Sequence, residues 1–249
     1  MDVGVDGQAV SEVFRVLDLA GVLANAVLGG VIARRERLDP IGFVVLATLT
    51  GLGGGFIRDT LLQAGPPVAL TDPAYLLTAL VGAAIAYSLR VEGRAWDGTW
   101  PVVDALALGC WASVGAQKTL DTGLGWLPAI LLGTITATGG GLVRDVVLRR
   151  VPGILGGNTL YATSAIAAAA TQVVTTALGY PVAGSLVALV VGAGLVLLAR
   201  RRGWMLPDAD AWSRAVAVRS RARRIAERAH PVRRLRDRRR ARHQRDGEG

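Results

Sequence analysis

Two short stretches of this chain combine three consecutive glycines with an arginine–aspartate pair. The first has Gly53–Gly55 before Arg58–Asp59, and the second, 86 positions later, has Gly139–Gly141 before Arg144–Asp145. Both lie in apolar runs, where each glycine weakens a helix by ~1 kcal/mol and a charge near a bilayer centre costs at least ~2.5 kcal/mol. A pattern that is costly and present twice indicates a functional role.

Three adjacent glycines favour a kink or a short unwound stretch in a membrane helix. The freed carbonyls could then coordinate a cation in a water-filled cavity, and the following half-helix could attract an anion. The expected pore or ion-binding residues are Gly53, Gly54, Gly55, Gly139, Gly140 and Gly141, with hydroxyls from Thr50, Thr136 and Thr138. The alternative is close packing through small residues, which usually needs glycines one turn apart. We therefore favour opening of the backbone.

The charged residues of the motifs allow two interpretations. Adjacent residues on a helix point about 100 degrees apart, so Arg58 is not expected to pair with Asp59, nor Arg144 with Asp145. The four side chains either line a pore or clamp helices together. Lys118, the only lysine in the chain, is expected at the membrane interface, with a charge at a pore mouth as the alternative.

Seven apolar segments surround these residues and are long enough to cross a bilayer as helices. Hydrophobic residues make up 51% of the 249-residue chain, and charged residues are sparse from Asp18 to Ala199. The fold class is therefore predicted as an all-α integral membrane protein. The segments are Leu17–Ala33, Ile41–Leu62, Ala74–Leu89, Val102–Ala116, Trp126–Leu148, Leu160–Leu178 and Val182–Ala199.

Several residues mark the expected helix starts. Pro40 and Pro73 suit first helical turns, and Asp72 and Asn158 are candidate N-caps. Two further aspartates, at positions 18 and 104, are also interpreted as caps. The tyrosines at positions 75 and 161 are interpreted as residues of the aromatic belt at the membrane surface.

The placement of arginine predicts the orientation. Arginines fill alternate connections, whereas 63–72 and 179–181 have no Lys or Arg. The positive-inside rule then puts the N-terminus outside and the C-terminus in the cytoplasm of a cell-membrane (inner-membrane) protein. The arginines concerned are Arg34, Arg35, Arg37, Arg90, Arg94, Arg149, Arg150 and Arg200–Arg202.

An internal repeat organises the chain. At an offset of 86 residues, the motifs, aspartates, tyrosines and several threonines and glycines coincide. Each copy holds three segments, so the second copy enters from the opposite side, which predicts inverted repeats and a seventh helix outside them. The predicted divisions are an outer N-terminus at 1–16, repeats at 17–90 and 91–178, the seventh helix at 179–202 and a basic tail at 203–249.

Composition argues against several functional classes. Cys110 is the only cysteine and both histidines, His230 and His243, lie in the tail, so no metal site or cofactor is expected. No nucleophile–base pattern occurs in the apolar part, so an enzyme is not expected. The arginine-rich tail is expected either to lie as a helix on anionic lipids or to be disordered, and nucleic acid is not expected as its partner.

The doubled Gly-Gly-Gly-x-x-Arg-Asp motif in inverted three-helix halves resembles the prokaryotic trimeric intracellular cation channels. This family is also labelled as glycine transporters of the UPF0126 type. The resemblance covers about Leu17 to Arg202 and implies a homotrimer with one pore in each protomer, which passes K⁺ and Na⁺ along glycine-kinked second and fifth helices. A secondary transporter for glycine or another small amino acid is the alternative.

Overall fold

The computed structural model describes residues 3–89, 94–155 and 159–206. For residues 3–10, 94, 95 and 97 it describes the backbone only. The predicted cap Asn158 and the tail beyond residue 206 lie outside the described residues. The described part is all-helical, as predicted. Its helices are α1 Val3–Arg35, α2 Pro40–Leu62, α3 Val68–Thr71, α4 Pro73–Ser88, α5 Arg94–Asp121, α6 Trp126–Val147, α7 Tyr161–Ala177 and α8 Pro181–Arg202, with a 3₁₀ turn at Gly153–Leu155.

Two of the predicted helix starts are confirmed by their capping bonds. Asp72 accepts a hydrogen bond from the backbone N–H of Ala74 at 2.9 Å, and Pro73 occupies the first turn of α4. Pro40 begins α2 in the same way, after a cap by Asp39. Since proline has no N–H to lose and its φ suits a helix, both helices start where the sequence predicts.

α1 and α5 extend well beyond the apolar runs that predicted them. α1 begins at Val3 and α5 runs from Arg94 to Asp121, because polar residues continue a helix when nothing breaks it. Asp18 and Asp104 therefore lie inside helices, and their interpretation as caps is wrong.

Among the described residues, four helices are long and apolar enough to cross a membrane by length and composition. They cover Ser11–Arg35, Pro40–Leu62, Trp126–Val147 and Pro181–Arg202, and α4 is a shorter apolar helix. Small residues, chiefly alanine, dominate the buried core, which lets the helices approach closely.

Tertiary contacts repeat with the same offset of 86 as the sequence. A methyl group at Gly29 would lie 2.7 Å from Cβ of Thr50, and one at Gly115 would lie 2.8 Å from Cβ of Thr136. The order α1, α2, α3, α4 is matched by α5, α6, the 3₁₀ turn and α7. The two halves therefore pack internally in the same way.

The glycine motifs are where α2 and α6 cross. A Cβ at Gly54 would overlap the carbonyl of Thr136, and a Cβ at Gly140 would overlap that of Thr50. Gly54 follows Thr50 on α2 but contacts Thr136, which precedes Gly140 on α6. The two helices therefore cross in an antiparallel sense. Absence of a side chain on both glycines allows the two backbones to touch.

Both helices are continuous through their glycines, so the predicted unwound stretch is wrong. α2 is helical from Pro40 to Leu62 and α6 from Trp126 to Val147. The apolar surroundings offer no partners for carbonyls released by unwinding. Contact between the backbones offsets the ~1 kcal/mol that each glycine costs a helix. Close packing was the alternative interpretation, and it describes this crossing.

Candidate functional site: two cavities at the arginine–aspartate pairs

The first cavity is built around Arg58, whose side chain is almost wholly buried. Its Nε donates to Oδ1 of Asp59 at 2.8 Å, and its Nη2 lies 3.8 Å from Oδ2 of Asp18. Tyr75 donates its hydroxyl to the same Asp18 oxygen at 3.0 Å. A buried guanidinium of this kind requires opposite charges around it; α1 and α2 each supply a carboxylate, and Tyr75 of α4 binds the one from α1.

Asp59 is bound by two further groups. Nζ of Lys118 on α5 donates to its Oδ1 at 2.8 Å, and the backbone N–H of Val68 donates to its Oδ2 at 3.0 Å. The carboxylate thereby connects α2 to α5 and to the start of α3. Two cations and two carboxylates balance, which suits a site that is nearly closed to water.

The second cavity repeats this arrangement in α5, α6 and α7. Nε of Arg144 donates to Oδ1 of Asp145 at 2.8 Å. Tyr161 donates to Oδ1 of Asp104 at 3.0 Å. The backbone N–H of Gly153 donates to Oδ2 of Asp145 at 3.3 Å. The polar groups of the two motifs therefore occupy equivalent places in the two halves.

The two cavities differ in size and in the exposure of their arginines. The first has a volume of about 10 Å³ and the second about 180 Å³. The side chain of Arg58 is 2% exposed and that of Arg144 is 17% exposed. Arg200 of α8 also lines the second cavity. The first site is thus much narrower, and the second has room for several water molecules.

The three glycines of each motif have different roles. Gly55 lines the first cavity and Gly141 lines the second. In contrast, the other two glycines of each motif face the helix crossing, where their neighbours are backbone atoms and a few side chains of the opposite helix. These four are Gly53, Gly54, Gly139 and Gly140.

The three threonine hydroxyls predicted for the ion path lie in different surroundings. Thr138 lines the second cavity. Thr50 and Thr136 are buried against glycines and donate to Leu46 O at 2.7 Å and Leu132 O at 2.6 Å. Neither lines a cavity described here, so the structure does not bring Thr50 or Thr136 to the candidate path.

The expectation that the adjacent charged residues would not pair is wrong for both motifs. An arginine side chain is long enough to fold back along the helix, so the angular separation of the two Cα positions does not prevent the bond. Arg58 and Asp59 connect helices and line a cavity at once. Arg144 and Asp145 line the other cavity, and Asp145 also binds the 3₁₀ turn. Lys118 is paired to Asp59 and partly exposed, which differs from a simple interface residue.

Some residues of the site were not recognised from the sequence. Asp18, Asp104, Tyr75 and Tyr161 repeat at the offset of 86, and this polar coincidence was the signal that could have found them. The tyrosines are hydrogen-bonded inside the protein, so their interpretation as belt residues is wrong. Within the described ranges, no group of three or more His, Cys, Asp or Glu could hold a metal ion.

Comparison with known proteins gives relatives across most of the helical part. A family model described as "Glycine transporter" matches residues 15–90 and 101–177. A UPF0126 membrane protein of Deinococcus radiodurans is 39% identical over 154 residues, which cover 61% of this chain and 72% of that protein. The UPF0126 inner membrane protein YadS of Escherichia coli K12 is 38% identical over 151 residues, with coverages of 60% and 72%.

Solved structures share the fold. The TRIC trimeric intracellular cation channel orthologue from Rhodobacter sphaeroides is 35% identical with a TM-score of 0.67, and the match covers 77% of this chain and 96% of that chain. A prokaryotic TRIC channel crystallised in 0.5 M KCl is 27% identical with a TM-score of 0.71, and the match covers 79% and 100%.

Proposed function

This chain belongs to the TRIC/UPF0126 family of multi-pass membrane proteins, whose family model bears the name glycine transporter, and on that premise we propose that it is a cation channel for K⁺ and Na⁺. The observation that carries the proposal is the pair of cavities at corresponding positions of the two halves, each lined by the third glycine and the arginine–aspartate pair of its motif. The likeness to cation channels in both sequence and fold supports it.

In the proposed arrangement, seven helices span the membrane as two inverted repeats and α8. Each repeat contributes three spans, so the copies must enter from opposite sides. α4 and α7 are short for this purpose, with 16 and 17 residues, but they approach the usual lower limit for a span of about 17 residues. The arginine-rich connections face the cytoplasm, which leaves the N-terminus outside.

Ions would move from one cavity to the other past the glycine crossing. A cation that leaves water exchanges part of its hydration shell for protein oxygens. The second cavity offers the carboxylates of Asp104 and Asp145 and the hydroxyl of Thr138. That hydroxyl donates to Thr134 O at 2.8 Å, so its lone pairs remain available. Such weak, mixed ligation gives modest selectivity between K⁺ and Na⁺.

We infer a homotrimer with one conduction path in each protomer. The relative from Rhodobacter sphaeroides is a trimeric intracellular cation channel orthologue, which supports a trimer here. We place the path inside the protomer because both cavities lie at the motifs of α2 and α6, two helices that cross within one chain. Anionic lipids are the proposed partner of the basic tail.

A transporter for glycine or another small amino acid is the second candidate. The second cavity presents Arg144 and Arg200 together with Asp104 and Asp145, and these opposite charges suit the carboxylate and the ammonium of a zwitterion. The name of the family model points the same way.

Reconstitution distinguishes the two functions. Purified protein in planar bilayers should give ohmic single-channel currents in KCl and NaCl, with a reversal potential that follows the cation gradient. Liposomes from the same preparation should show no saturable uptake of labelled glycine. Saturable uptake without currents under K⁺ and Na⁺ gradients would replace the channel by the transporter.

A further inference from the structure

The two cavities are unequal although most of their residues correspond. The first is about 10 Å³ and the second about 180 Å³. Both contain an aspartate of the first helix of their half, a tyrosine, the third glycine of the motif and the arginine–aspartate pair. Apart from Arg200 of α8, which lies outside the repeat and lines the second cavity, the difference comes from positions at which the repeat is broken.

The largest break is between Trp111 and Asn25, which occupy equivalent positions. Trp111 lines the first cavity and Asn25 lines the second. The indole lies directly against Gly21, where a methyl group would be 2.8 Å from Cδ1 of Trp111. The counterpart of Gly21 in the second half is Ala107. A small residue thus admits the large ring in one half, while the other half keeps a small amide.

At two more pairs of equivalent positions the residues of the two halves differ, and both differences distinguish the first cavity from the second. Leu52 in the first cavity corresponds to Thr138 in the second. Lys118, which binds Asp59 at the first cavity, corresponds to Ile32, which lines the second. The first site therefore has an apolar wall and a carboxylate already paired to a lysine. The second has two polar wall residues, and its aspartate is bonded to the arginine and to one backbone N–H.

Two side chains that line the first cavity carry donors without acceptors. Within the part of the chain that the structure describes, Nε1 of Trp111 and Nη1 of Arg58 are buried and have no hydrogen-bond partner. A volume of about 10 Å³ is close to the minimum for one water molecule, ~10–15 Å³. A cavity of this size has no space for a hydrated ion.

We propose that Trp111 is the side chain that occludes the conduction path at the first cavity, and that the second cavity, with Asn25 and Thr138, is a water-filled vestibule for a monovalent cation. This inference rests on the proposed channel function. The occlusion itself is a statement about water access, so it can be measured without any current.

Water access is tested by labelling cysteines at two equivalent positions. In a Cys110→Ala background, Leu52→Cys and Thr138→Cys are made separately in purified protein in nanodiscs, and a charged, water-soluble thiol reagent is added. Thr138→Cys should react several-fold faster than Leu52→Cys. Adding Trp111→Asn should raise the rate at Leu52→Cys toward that at Thr138→Cys. Equal rates at the two sites with Trp111 intact would overturn the proposal.

Conductance is tested by exchanging the two residues. Trp111→Asn should increase the K⁺ current several-fold, and Asn25→Trp should reduce it. The control is Trp126→Asn, since Trp126 is exposed at the start of α6 and lies outside both cavities; its current should equal that of the wild type. If Trp111→Asn does not fold, Asn25→Trp and the labelling of the two single cysteines still decide the matter.

The outcomes separate the two levels of inference. Unequal labelling without wild-type currents would reject the channel and retain the occlusion by Trp111. Wild-type currents that neither exchange alters, together with equal labelling rates, would retain the channel and reject the occlusion.

Discussion

Arg58 and Asp59 are neighbours in the chain and also form a buried ion pair, with Nε of the arginine 2.8 Å from Oδ1 of the aspartate. Asp18 approaches the same guanidinium from α1 at 3.8 Å. The pair therefore holds α2 to α1 and, through Lys118, to α5. The same ion pair therefore holds three helices together and forms part of the cavity wall.

Replacing the buried arginine should destabilise the protein more than replacing its counterpart. Arg58→Gln leaves the carboxylates of Asp18 and Asp59 without their main counter-charge, which should cost about 3–5 kcal/mol. Arg144→Gln should cost less, because water in the larger cavity can solvate Asp145. Denaturant unfolding in detergent measures both. Equal losses would contradict the difference in burial between the two sites.

The glycines of each motif should differ in their tolerance of alanine. Gly54→Ala and Gly140→Ala place a methyl group against a carbonyl and should cost about 1–3 kcal/mol. Gly55→Ala and Gly141→Ala are the matched controls, since the new methyl group lies 3.7 Å from Nη2 of the motif's own arginine. These two should keep stability or gain up to ~1 kcal/mol from helix propensity. The measurement is the thermal unfolding of the four variants. An equal loss of stability in all four would contradict the close backbone contact at Gly54 and Gly140.

The bond between Lys118 and Asp59 should appear as coupling in a double-mutant cycle. Lys118→Met, Asp59→Asn and the double variant should give an interaction free energy of about 0.5–3 kcal/mol. Asp145 has no lysine partner in the described residues, so Lys118→Met with Asp145→Asn supplies the control cycle and should be additive. Coupling near zero in the first cycle would mean that the ion pair is not formed.

Asp72 predicts a dependence of stability on pH. Its pKa is lowered by the hydrogen bond from Arg15 and by the backbone N–H of Ala74. The stabilisation is therefore complete above the unfolded pKa of about 3.9 and is lost as the pH falls through the lower folded value. Asp72→Asn keeps a cap acceptor but not the ion pair.

The measurement is the difference in Tm between the wild type and Asp72→Asn as a function of pH. The wild type should be more stable by a constant amount near neutral pH, and the advantage should shrink below about pH 4. A Tm difference in favour of the wild type that grows at lower pH would contradict a lowered pKa of Asp72 in the folded state.

Much of the fold follows from local rules. The apolar segments predicted the long helices of the described part, and Pro40, Pro73 and Asp72 marked starts that the structure confirms. The ends of α1 and α5 were predicted less well, because hydropathy reports the apolar layer whereas a helix continues until its hydrogen bonds are interrupted.

The sequence by itself determined the helices, the repeat at 86 residues and the concentration of polar residues at its motifs, because these are properties of neighbouring residues and of spacing. Tertiary structure alone decided that Gly54 and Gly140 pack while Gly55 and Gly141 line cavities, since consecutive helix positions face different neighbours. It also brought Lys118 to Asp59, 59 residues away. Contacts at such separations depend on how whole helices cross, which short-range patterns do not encode.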